Sequence, residues 1–416
     1  MTTKVNKKTV SSFLKNILIM FRGTLIAQAI TVFIGIYIAK LYGENAYGYF
    51  GFFISIVSVS SIIGTLQLEN CIVTAKSKEE SRQWFRFLTF SIPIVITLVF
   101  LLLMSFSMVI ELEKLNSTIL ILAFFGSLLV TYNLKHQHLY TFDKRFLILS
   151  NTKIFTAFFT VLFQYLFYTS FPILGLIYGF CISQFTVLVF NFYQHNKNLG
   201  KINFNKIKTE IKTNSSIISY LLPSNVINSL GHNLMPILIL FFFGVEKAGV
   251  YFFSTKILAT PLFLISSSIS QVYFKESIDL KKNKDRNLFK KTKKIVALNL
   301  VLMSCFVLVI NTIGISILEY FFENQWADLR SFILILSFLI IARSTFNPIS
   351  SLIVVLDKNK TGLFFNCYLF AINFIAIYLG AFLNDILVTV IVVSLFGGIG
   401  YLVLLNYFLK QLKNNK

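Results

Sequence analysis

The sequence predicts an all-α polytopic membrane protein of about twelve transmembrane helices, arranged as two six-helix bundles related by a parallel repeat around a central cavity. Three observations predict it. Of 416 residues, 56% are hydrophobic and only 13% charged, with mean hydropathy +0.74, which leaves too little polar surface to clothe soluble domains. Stretches such as Ile92 to Ile110 and Ile333 to Ile341 are apolar on consecutive positions, where a membrane-spanning β-strand would alternate. Finally, the turn LYGENAYGYF (Leu41 to Phe50) recurs as FFGVEKAGVYF (Phe242 to Phe252), pairing Gly43 with Gly244 and Gly48 with Gly249 at one offset. The 47 Phe residues also exclude a disordered or collagen-like chain, neither of which has such apolar surface to bury.

A span needs roughly 20 mostly apolar residues. Polar punctuation divides the chain into spans that begin near Phe13, Gly48, Phe87, Asn116, Leu149, Leu174, Ile217, Gly249, Ile295, Leu329, Gly362 and Ile386. The first comes after Lys4, Lys7 and Lys8, but it outruns a signal h-region and lacks a small-residue cleavage site, so it reads as a span and not a leader. The longest connections, Lys275 to Lys294 and His195 to Ser216, are too short for a globular domain. Of the 38 Lys and Arg residues, 31 fall on one side of this topology and 4 (Lys40, Lys114, Lys247, Arg330) on the other. That asymmetry puts both termini in the cytoplasm. It also accounts for the net charge of +21 without a nucleic-acid partner, since no fold remains to carry a phosphate groove. The run Lys281 to Lys294 reads most plainly as a topology determinant, with an anionic-lipid contact as the alternative. A second echo, FDKR (Phe142 to Arg145) against LDKN (Leu356 to Asn359), extends the repeat, and the predicted bundles are 1–205 and 206–416. Six spans per half is even, so the halves share one orientation and substrate is expected at their seam.

In the first span Thr24, Gln28, Thr31 and Gly35 keep the i, i+4, i+7, i+11 spacing of one helical face. The same repeat offset carries this stripe onto Asn225, Ser229, His232 and Pro236 in the seventh span. Small polar residues at this spacing pack helices together; paired across the repeat, with Gln, Asn and His included, they also suit the wall of a cavity. Charges inside spans cost roughly 2.5 to 3.5 kcal/mol at the bilayer centre on insertion scales, which makes each a candidate for function. Arg343 is the deepest, with Asn347 and Ser350 on its face and Pro348 interrupting the helix after it. Lys256 shares a face with Thr260 and Ser267, and Arg22 lies opposite the Thr24 stripe; both are also within snorkelling reach of a membrane surface. Glu69, at the inner end of the second span, is either a proton-coupling group or an interfacial carboxylate. His136 and His138 fall at an inner helix end, where interfacial packing is the plainer reading.

GENAYG is succeeded by Tyr49 instead of Lys-Ser/Thr, so no ATP-binding loop is present. There is no HExxH, no GxSxG and no carboxylate pair in an exposed loop, so enzymatic chemistry is not expected. Cys71, Cys181, Cys305 and Cys367 have no CxxC spacing and indicate neither disulfides nor metal. No cofactor is expected.

The stretches SFLKNILIMFRGTLIAQAI, KLYGENAYGYFGFF, LQLENCIVTAK (Leu66 to Lys76) and Tyr220 to Phe274 resemble the Wzx-type O-antigen and exopolysaccharide flippases. These form the polysaccharide transporter family of the multidrug/oligosaccharidyl-lipid/polysaccharide exporter superfamily. The resemblance covers most of the chain and is weakest after Asp357. It implies first and seventh helices lining a cavity, and an undecaprenyl-diphosphate-linked oligosaccharide as cargo in lipopolysaccharide or related polysaccharide biosynthesis. It implies a bacterial cytoplasmic membrane location, a polysaccharide polymerase and chain-length regulator as partners, and a cationic cavity to which Arg22, Lys256 and Arg343 would contribute. The sugars would lie among Gln28, Asn225, Ser229 and His232, with Thr24 and Thr31 on the same wall. Two rivals stand beside it. A multidrug or cation exporter of the same superfamily would favour embedded carboxylates over cations, and a polytopic O-antigen polymerase would carry a substantial charged external loop.

Overall fold

The computed structural model describes residues 19–109, 117–194, 207, 209–211, 217–282, 287–323, 325–356 and 358–414. The expected span starts at Phe13 and Asn116, Lys4, Lys7, Lys8, Lys114, Lys284, Arg286, Asp357 and the expected boundary between 205 and 206 lie outside these residues. Within them the chain forms helices and no strands. With no water in a bilayer to hydrogen-bond the backbone, long apolar runs close every amide within their own segment.

The helices are α1 (Ile19–Gly64), α2 (Glu69–Thr74), α3 (Lys78–Val109), α4 (Ser117–Phe142), α5 (Phe146–Phe167), α6 (Gly175–Gln194), α7 (Ile217–Phe243), α8 (Val245–Lys282), α9 (Leu288–Phe322), α10 (Leu329–Ile349), α11 (Leu352–Val355), α12 (Asn359–Phe382) and α13 (Ile386–Asn414). Among the described residues, ten helices are long and apolar enough to cross a membrane. One of them, α1, has 46 residues, more than twice what a hydrocarbon core of about 30 Å requires. Gly43 divides it into two passes at φ 72° and ψ −176°, a conformation open to glycine alone. Helix α8, at 38 residues, is a further helix of spanning length. The broken α1 and α8 together bring the ten to the twelve passes expected from the sequence.

By its contacts the chain divides into two compact units, Met1–Ile38 with Phe53–Ser229, and Ala39–Phe52 with Leu230–Lys416. In the first unit, buried polar side chains tie helices together where no hydrophobic force acts between them. Asn133 on α4 donates to both the carbonyl and the side-chain oxygen of Gln184 on α6, each at 2.9 Å, and its Oδ1 accepts from Asn191 at 2.9 Å. Pro93 in α3 has no N–H for the Thr89 carbonyl four residues earlier; the Tyr132 hydroxyl supplies the missing bond at 2.8 Å.

In the second unit the repeat becomes a spatial relation. Residues 201 apart meet one another: Asn45 Nδ2 donates to Glu246 Oε1 at 3.3 Å. A Cβ on Gly48 would strike the Val245 carbonyl oxygen, and a Cβ on Gly249 would strike the Glu44 carbonyl oxygen. Contacts that exchange i with i+201 in this way describe a local two-fold axis between the two turns. Gly48→Val is therefore expected to cost roughly 1–3 kcal/mol, because the obstacle is backbone and cannot rotate aside. Gly35→Ala, whose Cβ would find nothing within 4 Å, is expected to be harmless. Thermal unfolding in detergent compares the two; equal midpoints would mean the close approach is not real.

Candidate functional site

The stripe on α1 belongs to the first unit. Thr24, Gln28 and Thr31 are half-buried, while Phe21, Leu25 and Phe33 are exposed. Thr24 donates to the Met20 carbonyl at 2.9 Å and Thr31 to the Ala27 carbonyl at 2.8 Å, so both hydroxyls keep their lone pairs for another donor. The Gln28 Oε1 is buried without a hydrogen-bond partner. A π-helical turn at Ile30–Ile34 breaks the regular period and rotates the rest of the helix by about 100°, so Gly35 leaves the face that spacing alone assigned to it. Arg22 is exposed near Phe21 and Leu25, off the stripe.

The lone pair of Thr24 has a donor that sequence reading missed. Lys153 Nζ reaches Thr24 Oγ1 at 3.0 Å. The charge asymmetry assigns Lys135 and Lys153 to an inner connection, but both lie within helices, α4 and α5. Lys135 is 1% exposed, donates to Thr89 Oγ1 at 2.7 Å and sits 4.2 Å from the Phe85 ring centroid, a structural arrangement. Lys153 is half-buried and continues a polar edge of Ser150, Thr156 and Thr160 at helical spacing. That spacing is a signal the sequence itself carries, and it is masked there by the concentration of basic residues between the fourth and fifth spans.

Asn225 on α7 donates to Gln67 Oε1 at 2.8 Å. Gln67 lies in the link between α1 and α2, where Leu66 and Gln67 hold φ of 52° and 60°. Two successive left-handed non-glycine residues are strained by roughly 1–2 kcal/mol each. Glu69, which opens the short α2, is 3% exposed, and its Oε2 has no hydrogen-bond partner. Burial raises its carboxyl above the ordinary carboxylate value, opposed by hydrogen bonds from the Thr65 hydroxyl and its own N–H. Ser229, one turn beyond Asn225, is buried.

In the second unit, Arg343 lies in the last α-helical turn of α10, before the 3-10 turn Asn347–Ile349 that contains Pro348. A cation there is favoured by the carbonyl end of the helix. Pro348 leaves the Ser344 carbonyl without its helical donor. Asn299 on α9 and Ser266 on α8 supply the replacements, at 2.6 and 3.1 Å. The residue beside Arg343 is thereby pinned to two neighbouring helices. Arg343 is half-buried and forms no ion pair among the described residues; its charge acts on His232, Tyr251 and Tyr401. Sequence spacing gave no reason to join His232 with Arg343, and the fold does so. Lys256 is half-buried with its ammonium 5.6 Å from the Tyr47 ring centroid and 5.8 Å from that of Phe50, so aromatic faces of the turn hold it.

A pocket of about 330 Å³ opens beside that turn, lined by Lys40, Gly43, Glu44, Glu246 and Gln325. Its charges are largely used locally: Lys40 pairs with Glu323 at 2.9 Å, Lys247 pairs with Asp328, and Glu246 accepts from Asn45.

The model of a family described as polysaccharide biosynthesis protein matches residues 37–331. No curated protein sequence matches the chain. Among solved structures, the lipid II flippase MurJ in an inward closed conformation aligns with TM-score 0.72 at 14% identity, over 96% of this chain and 87% of that one. An outward-facing multidrug resistance MATE family transporter of the MOP superfamily aligns with TM-score 0.67 at 12% identity, over 97% and 96%. A MOP superfamily transporter from Pyrococcus furiosus, described by the reverse polarity of its binding pocket, aligns with TM-score 0.60 at 13% identity over 96% of both. At such identities the likeness is one of fold: the chain has the fold of MOP superfamily transporters and is a multi-pass membrane protein.

Proposed function

The chain belongs to the polysaccharide biosynthesis protein family, and on that premise we propose that it is a flippase, carrying an undecaprenyl-diphosphate-linked oligosaccharide across the bacterial cytoplasmic membrane by alternating access. The cargo is an O-antigen or related polysaccharide repeat unit. The observation that carries this reading is Arg343: a half-buried guanidinium on a membrane helix, with no carboxylate paired to it among the described residues and with His232 within reach of its charge. A diphosphate entering a low-dielectric site loses hydration, and a fixed, unpaired cation offsets that loss. In this reading Arg343, Lys256 and Arg22 attract the diphosphate, Lys153 joins them, and Gln28, Thr24, Thr31, Asn225, Ser229 and His232 meet the sugars. The two bundles are 1–205 and 206–416, and a polysaccharide polymerase and chain-length regulator act on the delivered unit.

The test is deletion and complementation: cells lacking the protein should lose surface polysaccharide and accumulate the lipid-linked unit on the inner leaflet. Surface polysaccharide unchanged in the deletion would overturn the reading. Buried Glu69 is the observation favouring a second reading, a multidrug or cation exporter, since embedded carboxylates suit cationic cargo. A deletion that raises drug susceptibility and leaves polysaccharide intact would select it. The 31-to-4 charge asymmetry further predicts that reporter fusions place both termini in the cytoplasm; an external C-terminus would break the parallel repeat.

A further inference from the structure

We propose that Glu69 takes up and releases a proton and that the Thr65–Gln67 turn conveys its charge state to Asn225. The proposal rests on the flippase reading only for what Asn225 does; the proton site and its link stand apart from the cargo. Glu69 is almost wholly buried in the first unit, with one carboxyl oxygen lacking any hydrogen-bond partner. None of the ion pairs among the described residues includes it. An ionised carboxylate half-served in this way is held at a disadvantage that a proton on Oε2 removes.

Thr65 then acts as a two-way switch. Its hydroxyl has a single proton, which the structure aims at the Ile62 carbonyl at a long 3.4 Å, with the Glu69 carboxylate as the competing acceptor that it favours in ionised form. The same oxygen accepts the Gln67 N–H at 3.3 Å, and so holds Gln67 in its left-handed conformation. When Glu69 is ionised, Thr65 turns to it; when Glu69 binds a proton, forming a neutral acid, Thr65 is released to Ile62 and its lone pairs swing with it. The strained Leu66–Gln67 pair is poised to relax when that support changes. Gln67 Oε1 in turn accepts from Asn225 Nδ2 at 2.8 Å and from Asn70 Nδ2 at 3.4 Å, so a movement of Gln67 is felt directly on α7.

Titratable neighbours come from each element around this link. Cys71 on α2 lies within electrostatic reach of Glu69, of Glu80 on α3 and of Glu210. His138 on α4 lies near the backbone of Glu69, and its Nδ1 is buried without a hydrogen-bond partner. The acids among these groups carry the same sign of charge as the Glu69 carboxylate and do not compensate it.

The test uses the full chain in lipid nanodiscs, without cargo. Infrared difference spectra between acidic and alkaline pH should contain a carboxylic-acid band that disappears in Glu69→Gln. Amide hydrogen exchange, corrected for its intrinsic pH dependence, should change with pH in segments 62–70 and 222–229, and Glu69→Gln should remove both responses. Gln67→Ala should keep the infrared band and the response in 62–70 but lose the one in 222–229. Thr65→Val, which keeps the carboxyl and removes a donor to its ionised form, should move the titration midpoint upward and serves if Glu69→Gln does not accumulate. A band that persists in Glu69→Gln, or a response at 222–229 that survives Gln67→Ala, would overturn the proposal. Should these results hold while surface polysaccharide proves independent of the protein, the flippase reading fails and the proton link stands.

Discussion

Arg343→Glu is expected to abolish export of the lipid-linked oligosaccharide, and Arg343→Ala to reduce it about ten- to hundredfold, with the protein accumulating normally in the membrane. The magnitude comes from the hydrogen bonds of a charged donor, roughly 1.5–3 kcal/mol, lost without replacement in a site sheltered from water. Glutamate adds repulsion of the diphosphate to that loss. Arg343→Lys should retain part of the activity, because the charge remains while the two-pronged geometry is gone. Normal abundance matters to the reading. Arg343 pairs with no acid among the described residues, and its turn is held by bonds from Asn299 and Ser266 to the backbone of Ser344, which alanine at 343 leaves in place. Surface polysaccharide measured together with membrane abundance is the check. Polysaccharide at the native level in Arg343→Ala would remove this residue from the site.

Lys153 is the second large effect. Its ammonium spends one N–H on Thr24 Oγ1, and that hydroxyl, already donating to Met20, does nothing to neutralise it. Lys153→Glu is expected to lower export at least about tenfold, Lys153→Ala less, and Lys153→Arg least, since the attraction is to charge and the stem of arginine is long enough to present it. Thr24→Val should cost less than Lys153→Ala: it removes an anchor and leaves the cation. Cell-surface polysaccharide across the four variants orders them. A ranking with Thr24→Val worst would make Lys153 a support for α1 and not a contact for cargo.

The helical architecture was legible in the sequence because it is written in the solvent. A bilayer enforces long apolar runs, and the polar punctuation between them marked where each described pass lies, even at α8, whose interior Lys256 and Pro261 dilute its apolar run. The helix ends were less legible: α3 begins at Lys78, well before the apolar run at Phe87, because its first turns carry charge. Gly43 and Gly244 were legible for a local reason: only glycine readily takes the positive φ that turns one pass into the next, and both do so. Arg22 was placed correctly off the Thr24 stripe because both lie before the π-turn, where the helical period is regular; Gly35 was misplaced because it lies after it.

The candidate site was less legible because it depends on which helices are neighbours. Period along one helix assigns a face but not a partner, so the bonds of Lys153 with Thr24 and Asn225 with Gln67, and the reach of the Arg343 charge to His232, had no signature in any local window. Nor could charge counting separate a lysine that faces water from one drawn into a helix, as Lys135 and Lys153 are, because the inner helix ends run on beyond their apolar cores. What the sequence determined by itself was the number of passes, the repeat and the positions of the breaks, since each is set by transfer to lipid or by the backbone freedom of a single residue. Only the tertiary structure decided where the proline-freed carbonyls of Thr89 and Ser344 find donors and where Glu69 is left half-served. In a membrane interior an unmet polar group must be answered by whatever side chain the packing brings beside it, and that is a property of the fold and not of the chain.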